Sequence, residues 1–258
     1  PRMLDIPMAQ GIIDFARNGQ LSIITPFCLM GAMAPITVAG GLVLQHAESL
    51  FGITLSQLVN PGAPVMYGNF ASSVDMKSGA PAFGTPEHVK ATLGSGQLAR
   101  RIGLPWRTAS GSASNMGDAQ GAHETELGTW AAVLAGGTYV VHAAGWLEGG
   151  LTLGYEKLVT DMEMVQTFAE LATRTVADEA EMAFAALKDV EPGGHFFATQ
   201  HTMDRYETAF YQPLVADWSN FGQWTENGAL SANERATSIW QERLAGFTPP
   251  VGADDRAA

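Results

Sequence analysis

The sequence predicts an α/β fold, namely half of a (β/α)8 TIM barrel followed by a helical extension. Short apolar runs begin near residues 21, 64, 105 and 138, roughly 30 to 45 residues apart, which is the length of one βα unit. Each run leads into a loop rich in Gly, Ser and Ala and then into a helical pattern, as parallel strands with helical crossovers require. Four parallel strands alone would leave two uncovered sheet edges, which favours half of a closed barrel.

Turn and capping residues bound the four βα units. The helix of the first βα unit stops at Asn60-Pro61-Gly62, and the helix of the second unit opens on Thr85 and Pro86. Asp118 can cap the helix of the third unit. In the fourth unit, Tyr139–Gly150, a buried strand ends in a loop bounded by glycines. The predicted strands are residues 21–25, 64–68, 105–109 and 139–141. The loops that follow them are predicted at residues 26–35, 69–84, 110–124 and 142–150, respectively.

The C-terminal part of the chain has a different pattern. After Tyr155, apolar residues at helical spacing predict a long helix as far as Val190, and the turn residues 191–194 break it. We therefore divide the chain into two parts. They are a partial barrel of four βα units at residues 1–190 and a C-terminal helical extension and tail at residues 191–258.

The two ends of the chain carry further local signals. Residues 8–19 form an amphipathic pattern that ends on Asn18-Gly19, which is typical of a helix with a left-handed cap. Ser231 and Glu234 match a capping box for a last helix, and Pro249 begins a polar tail. The chain opens without an apolar leader, so we expect an internal part of a longer, cytoplasmic protein.

Composition and charge exclude several function classes. A chain of 258 residues with 46% apolar content can bury a core. Its 26 acidic and 14 basic residues give a net charge of −12, which repels phosphate backbones and anionic lipid, so we expect neither nucleic acid nor a membrane as a partner. Cys28 is the only cysteine, which excludes an intrachain disulfide and favours a reducing compartment.

Polar side chains from the four loops are expected to meet at the carboxyl ends of the strands, where α/β folds bind ligands. His142 is a candidate base or neutral hydrogen-bond donor. Glu148 follows Trp146 by two residues, so a carboxylate and an aromatic face can together hold an alkylammonium cation. The predicted catalytic residues are His142, Glu148 and Asp118, and the predicted substrate-binding residues are Trp146, Asn69, Asp75, Gln120 and Met30.

Purely structural roles stay open for these candidates. Trp146 can pack against its own sheet, Glu148 can cap a helix, His142 can be a hydrogen-bonded core residue, and Asp118 can act only as an N-cap. The histidines and carboxylates show no compact zinc spacing, so no metal site is predicted.

Four longer phrases occur in order along the chain: VDMKSGAPAFGTPE at 74–87, GDAQGAHETELGTWAAVLAG at 117–136, VHAAGWLEGGL at 141–151 and PGGHFFATQHT at 192–202. Together they resemble the trimethylamine methyltransferase family, over about residues 20–250. Members of that family are similar to TIM barrels and are considerably longer than this chain. The resemblance therefore implies that the chain is the C-terminal half of such a barrel.

The resemblance also implies an activity. Members of the family transfer a methyl group from a methylated amine to the cobalt of a separate corrinoid protein, so no cofactor is expected to be held tightly by the chain itself. Archaeal trimethylamine members carry pyrrolysine, an electrophilic imine that holds the neutral amine, and no such residue appears in this sequence. A quaternary ammonium already has a neutral amine as its leaving group and needs only orientation in a dry aromatic pocket. We therefore favour a quaternary amine such as a betaine, with trimethylamine as the other candidate substrate.

The expected partners are a cognate corrinoid protein, a small methylated amine and the missing N-terminal half of the barrel. Without that half, exposed sheet surface is expected to make the chain self-associate. Two other functions stay open: a metal-dependent barrel hydrolase that uses His142, Asp118 and Glu148, and a non-catalytic ligand-binding barrel.

Overall fold

The computed structural model describes residues 1–250 and residue 252, so the predicted polar tail after Pro249 lies almost entirely outside the described residues. The strands are β1 (Ser22–Ile24), β2 (Phe27–Met30), β3 (Val65–Gly68), β4 (Phe70–Val74), β5 (Pro81–Ala82), β6 (Trp106–Ala109), β7 (Tyr139–Val141), β8 (Trp146–Leu147) and β9 (Thr152–Leu153). The helices are α1 (Ile6–Arg17), α2 (Val38–Val59), α3 (Pro86–Arg101), α4 (Ala119–Leu134), α5 (Tyr155–Leu171), α6 (Glu179–Met182), α7 (Phe184–Asp189), α8 (Gln200–Met203), α9 (Phe221–Glu226) and α10 (Ala232–Ala245).

The main sheet contains the four predicted strands. β1, β3, β6 and β7 pair in that order and every pair is parallel. The register places Ser22 beside Val65, Tyr67 beside Trp106 and Arg107 beside Tyr139. Helices α2, α3 and α4 connect successive strands of this sheet, so the predicted parallel α/β fold is confirmed. The closed barrel stays a prediction.

Alternation along the strands gives the sheet two different faces. Tyr67 and Trp106 are completely or almost completely buried and pack with Ala99 of α3 and with Ala135, which follows α4. The indole Nε1 of Trp106 donates a hydrogen bond to the carbonyl of Gly136 at 2.8 Å. Because successive side chains of a strand point to opposite faces, Arg107 projects away from this helix-packed layer.

A second sheet lies where the sequence predicts only loops, so the loop predictions for residues 26–35 and 69–84 are wrong in part. β2 pairs in parallel with β4, and β4 pairs antiparallel with the short β5. The chain passes from the first sheet to the second at Gly68, where an added Cβ atom would overlap the Thr25 hydroxyl and lie 2.6 Å from the Ile24 carbonyl oxygen. Only glycine allows this close approach of two strand ends.

Predicted helix signals are confirmed at several ends. Thr85 caps α3 and Pro86 is its first residue, while the Asp118 carboxylate accepts hydrogen bonds from the first turn of α4. Ser231 and Glu234 form the predicted capping box of α10. Helix α1 is followed by Gly19 at φ +65°, the predicted left-handed position.

The predicted long helix up to Val190 is wrong, because α5 ends at Leu171 and two short helices follow after a gap. Thr173, Thr175 and Val176 are β-branched and lower helix propensity in this stretch. Asp178 then starts a new helix by accepting a hydrogen bond from the Glu181 amide at 2.9 Å.

The chain forms two compact units. The first combines Pro1–Met162 with the segment that starts at Leu230, and the second is Glu163–Ala229. Neither limit coincides with the predicted division at residue 190. Helix α10 belongs to the first unit, where Trp240 and Thr237 donate hydrogen bonds to the Glu156 carboxylate at 2.8 and 2.9 Å. In the second unit, Glu163 accepts hydrogen bonds from the amides of Val215 and Ala216.

By length and composition, one helix in the described residues is apolar enough to cross a membrane. This helix is α2, with 22 residues and a mean hydropathy of 1.2 over an 18-residue window. A helix from a protein core can meet the same criterion, and α2 has buried polar side chains, Gln45 and Ser49, on its inner face. The predicted absence of a membrane partner stays a prediction.

A buried ion pair supports the loop that follows β7. The Lys157 ammonium contacts both Asp161 carboxylate oxygens at 2.5 and 2.6 Å and donates to the Thr125 hydroxyl at 2.8 Å. Asp161 also accepts a hydrogen bond from the Gly145 amide at 2.9 Å. Both charged side chains are at most 4% exposed. The pair therefore connects α5 to α4 and to the loop that contains Trp146.

Removing one member of this pair is expected to cost much more than removing an exposed carboxylate. Asp161→Ala leaves the Lys157 charge buried without an anion, so we expect a loss of about 3 to 5 kcal/mol in unfolding free energy, measured by urea denaturation. Asp14→Ala is the control, because Asp14 is exposed and its side chain contacts Gln10 at 2.8 Å, and we expect it to cost about 0.5 kcal/mol or less. Equal losses for the two variants would contradict a structural role for the pair.

Candidate functional site

Residues from the ends of β3, β6 and β7 meet around one guanidinium group. Arg107 Nη1 donates to the Asn69 carbonyl at 3.2 Å, and Arg107 Nη2 lies 3.0 Å from His142 Nε2. The guanidinium carbon also stands 5.3 Å from the centre of the Phe70 ring, within range of a cation–π interaction. The structure therefore brings the predicted residues Asn69 and His142 together, through an arginine that the sequence analysis did not select.

The Arg107 contact determines the proton position on His142. A guanidinium can only donate, so Nε2 of His142 must accept and the neutral ring carries its proton on Nδ1. Burial lowers the pKa of His142 to about 4, and the positive charge of Arg107 contributes to the same shift. His142 also adopts a left-handed backbone conformation at φ 61°, which is uncommon outside glycine and asparagine. At neutral pH His142 is therefore an uncharged hydrogen-bonding group and a weak base.

The predicted residue Trp146 belongs to an aromatic cluster beside His142. The His142 and Trp146 rings are 4.2 Å apart, centre to centre. Phe70 and Phe83 each meet Trp146 nearly at right angles, with ring centres 6.1 and 5.9 Å away. Phe70 also stacks on Phe83 at 5.0 Å and contacts Phe27 at 5.0 Å. We call Phe27, Phe70, Phe83, His142 and Trp146 the aromatic wall.

The indole N–H of Trp146 is buried and has no hydrogen-bond acceptor. Gly111 and Gly150 both approach the nitrogen-bearing side of the indole: an added Cβ at Gly111 would be 3.3 Å from Nε1, and one at Gly150 would overlap Cζ2. A buried donor without a partner costs roughly 1 to 3 kcal/mol. The absence of a side chain at these two glycines leaves the space that the ring occupies.

A carboxylate that the sequence analysis did not select organises the loop after β6. Glu124 of α4 accepts hydrogen bonds from the Ser112 hydroxyl and the Ala113 amide, both at 2.8 Å, and from the Ser114 amide at 3.0 Å. Its other oxygen accepts from Gln120 at 2.8 Å. Gln120 is exposed and serves this loop in the structure, and its predicted contact with substrate stays a prediction.

The remaining predicted site residues have identifiable structural surroundings. Asp118 is exposed and caps α4, with hydrogen bonds from the Gln120 and Gly121 amides. Asp75 is exposed and accepts from Lys77 and Ser78 of its own turn, which lowers the pKa of its carboxyl. Met30 is buried in a core cluster with Cys28, Ala71 and Ala91. The structure therefore accounts for these three residues without a ligand.

Glu148 lies at the end of the short strand β8. Its amide donates to the Ser114 carbonyl at 2.8 Å, and its backbone is left-handed at φ 54°. Its side chain is exposed, and two glycines follow it in the 3-10 turn Glu148–Gly150. The carboxylate stands two residues beyond Trp146, with the backbone anchored to the loop that Glu124 holds.

Residues 1–250 contain no group of three or more His, Cys, Asp or Glu side chains arranged to hold a metal ion. His142, Asp118 and Glu148 therefore do not form a ligand set, and the metal-dependent hydrolase gains no support from the geometry.

The residues that the sequence analysis missed share one property. Arg107, Phe70, Phe83 and Glu124 act through partners distant in sequence, so no local pattern reveals their contacts. One signal was available for Arg107: it is a charged residue inside the predicted strand 105–109, whose neighbours Trp106 and Thr108 are buried. A charged side chain between buried residues of a strand usually has a polar partner or a functional role.

Comparison with known proteins shows relatives along the whole chain. A family model described as trimethylamine methyltransferase (MTTB) matches residues 1–258. The chain is 37% identical over 252 residues to a glycine betaine methyltransferase of Desulfitobacterium hafniense (strain Y51), covering 97% of this chain and 52% of that relative. It is 33% identical to the trimethylamine methyltransferase MttB of Desulfitobacterium hafniense (strain DSM 10664 / DCB-2), covering 92% and 48%. It is 32% identical to the MttB of Methanosarcina barkeri, covering 98% and 51%. The chain spans about half the length of these curated relatives.

Two neutral histidines, the buried His88 and the partly buried His142, are expected to make stability depend on pH. Burial also lowers the pKa of His88 to about 4, from an ordinary value of 6.5 that both histidines regain on unfolding. Between about pH 6.5 and pH 4 the unfolded chain binds protons that the folded chain does not, so stability is complete above this window and falls as the pH falls through it. His88 contributes up to about 3 kcal/mol to that loss, and the partly buried His142 contributes less, because water screens its charge.

Substitution separates the contribution of His142. His142→Asn removes the titrating group and tolerates the left-handed backbone, so urea denaturation should show a weaker fall in stability between pH 6.5 and 4. His123→Asn is the control, because His123 is exposed on α4, and it should leave the pH profile unchanged. Identical profiles for wild type and His142→Asn would show that His142 is not held neutral.

Proposed function

The chain belongs to the trimethylamine methyltransferase family, and from this premise we propose that the protein transfers a methyl group from a quaternary ammonium compound to the corrinoid of a partner protein. The corrinoid is a co-substrate carried by that partner. The observation that supports a quaternary substrate is the pairing of an aromatic wall with a neutral His142 at the carboxyl ends of the strands. An aromatic wall can bind an alkylammonium head through its ring faces.

The protonation state of the site favours a substrate that needs no proton transfer. When the C–N bond of a quaternary ammonium breaks, the electron pair stays on nitrogen and a neutral amine leaves. A tertiary amine leaves as a neutral amine only if its nitrogen carries a proton when the C–N bond breaks, because otherwise an amide anion would have to leave. His142, with a pKa of about 4, is uncharged at neutral pH and is not an acid that can supply this proton. We therefore rank a quaternary ammonium ahead of trimethylamine, and we give His142 the role of a neutral positioning group.

We assign the cationic end of the substrate to Trp146 and Glu148. Trp146 presents part of an indole that packs against Gly111 and Gly150, and Glu148 adds a negative charge on an exposed side chain two residues later. Attraction between an ammonium and both groups would orient the methyl group for transfer, in an enclosed site that limits water.

We also infer that the parallel sheet is part of a (β/α)8 barrel. Four parallel strands in chain order with helical crossovers match four of the eight βα units of such a barrel, and the curated relatives are about twice as long as this chain. The other half of the barrel would complete the pocket above the aromatic wall.

Methyl transfer is the direct test of the function. The whole protein is mixed with a reduced corrinoid protein and either glycine betaine, choline or trimethylamine, and the absorbance of the corrinoid is followed. A change on adding a quaternary compound, larger than with trimethylamine, supports the proposal. Binding of these compounds without any corrinoid change would instead favour a non-catalytic ligand-binding protein.

Substitution of Trp146 is expected to weaken binding of the cation. Trp146→Ala removes the indole face and should raise the dissociation constant of a quaternary ammonium about threefold to thirtyfold, measured by calorimetry. Trp146→Phe is the matched control, since it keeps a smaller aromatic face and removes the five-membered ring with the N–H group that has no acceptor, and it should weaken binding less than Trp146→Ala. Wild-type affinity in Trp146→Ala would remove this residue from the site.

Glu148→Gln tests the electrostatic part of the same assignment. The substitution keeps the shape and removes the charge, so it should raise the dissociation constant of a permanent cation. It should affect the reverse reaction with a neutral amine acceptor less. Equal effects on both directions would show that Glu148 serves the loop and not the substrate charge.

A further inference from the structure

Arg107 is a partly buried cation whose contacts in the described part of the chain are all with uncharged groups. No carboxylate in the described residues lies within 4.0 Å of its guanidinium, the limit for an ion pair. Its hydrogen bonds go to a carbonyl and to a neutral imidazole, and its third contact is the face of Phe70. A cation taken partly out of water is normally paired with an anion, so this arrangement lacks an expected partner.

The guanidinium still has capacity to bind that partner. It has five N–H donors, and Asn69 and His142 use two of them. The side chain is only partly buried, so part of the group stays open to a ligand. A forked pair of N–H groups matches the two oxygens of a carboxylate.

We propose that Arg107 binds the carboxylate of the substrate, and that the substrate class is therefore zwitterionic: a quaternary ammonium that carries a carboxylate a few bonds away. This inference rests on the proposed function, since it assumes that the aromatic wall holds the ammonium head. His142 lies between the two groups, in contact with Arg107 at 3.0 Å and with the Trp146 ring at 4.2 Å between centres. The anion and cation sites are thus separated by one imidazole ring, a separation suited to a small amino-acid betaine.

Electrostatics make Arg107 a selecting group as well as an attracting one. A ligand with only a positive charge, bound against the aromatic wall, would be repelled by the guanidinium across a partly dry site. A zwitterion replaces that repulsion with a charge-assisted pair. Burial also lowers the pKa of Arg107, which is the expected effect of a cation that lacks an anionic neighbour.

The test compares two ligands that share the trimethylammonium head. Glycine betaine carries a carboxylate and choline carries a hydroxyl, and calorimetry on the whole protein gives both dissociation constants. Wild type should bind glycine betaine at least about tenfold more tightly than choline. Arg107→Gln should weaken glycine betaine about tenfold to hundredfold and leave choline unchanged or tighter. Arg107→Lys should give an intermediate loss, since it keeps the charge without the fork.

The ratio of the dissociation constants of choline and glycine betaine distinguishes a specific effect of the substitution from misfolding. A variant that merely unfolds loses both ligands equally, and such an equal loss would overturn the proposal by making Arg107 structural only. Arg101→Gln is the control, because it removes a positive charge from an exposed position on α3, and it should leave the ratio unchanged.

Methyl transfer, measured in parallel, separates this inference from the proposed function. If the protein transfers a methyl group from a quaternary compound but Arg107→Gln leaves the ratio of the two dissociation constants unchanged, the role of Arg107 is overturned and the proposed function stands. If Arg107→Gln removes the preference for glycine betaine over choline but no methyl transfer is observed, the carboxylate site is supported and the proposed function is overturned. If wild type binds neither compound, both proposals fall.

Discussion

The candidate site depends on one constraint: a guanidinium can donate hydrogen bonds but cannot accept them. Because Arg107 contacts Nε2 of His142, that nitrogen must be an acceptor, and the ring stays neutral with its proton on the other side. The same side chain binds the backbone at Asn69 and covers the Phe70 ring. One residue of β6 therefore determines the orientation of groups that follow β3 and β7.

The parts of the fold that could be predicted are those with local causes. Strand starts, the Thr85 and Asp118 caps and the capping box at Ser231 follow from neighbours a few residues apart, and all are present in the structure. The second sheet was missed because FCLM and FASSV become strands only by pairing with each other across the chain. The break in the predicted helix after Leu171 has a local cause, since β-branched residues follow it. It was missed because apolar residues continue at helical spacing through the same stretch.

For the site, chemical type indicated where several of the predicted residues lie, and their roles stay predictions. His142 and Trp146 do lie together at the strand ends, because parallel strands bring their carboxyl ends to one edge. Asp118 and Asp75 have the same side chain as many catalytic groups, yet their oxygens are used by nearby amides. Sequence cannot separate a capping carboxylate from a free one, since both follow a strand and precede a helix. The distinction needs the hydrogen-bond partners of each oxygen.

The charges of the whole chain and of the site act in opposite directions, and together they explain how such a site could select its ligand. A net charge of −12 attracts cations to the surface without regard to their identity. At the aromatic wall the positive charge of Arg107, which has no ion-pair partner among the described residues, reverses that sign over a few ångströms, where fewer water molecules screen it. A simple cation gains from the first field and loses to the second. A zwitterion has no net charge and gains little from the first field, but it gains from the second once its carboxylate reaches the guanidinium. Discrimination therefore arises inside the site, where desolvation strengthens the interaction of each charge.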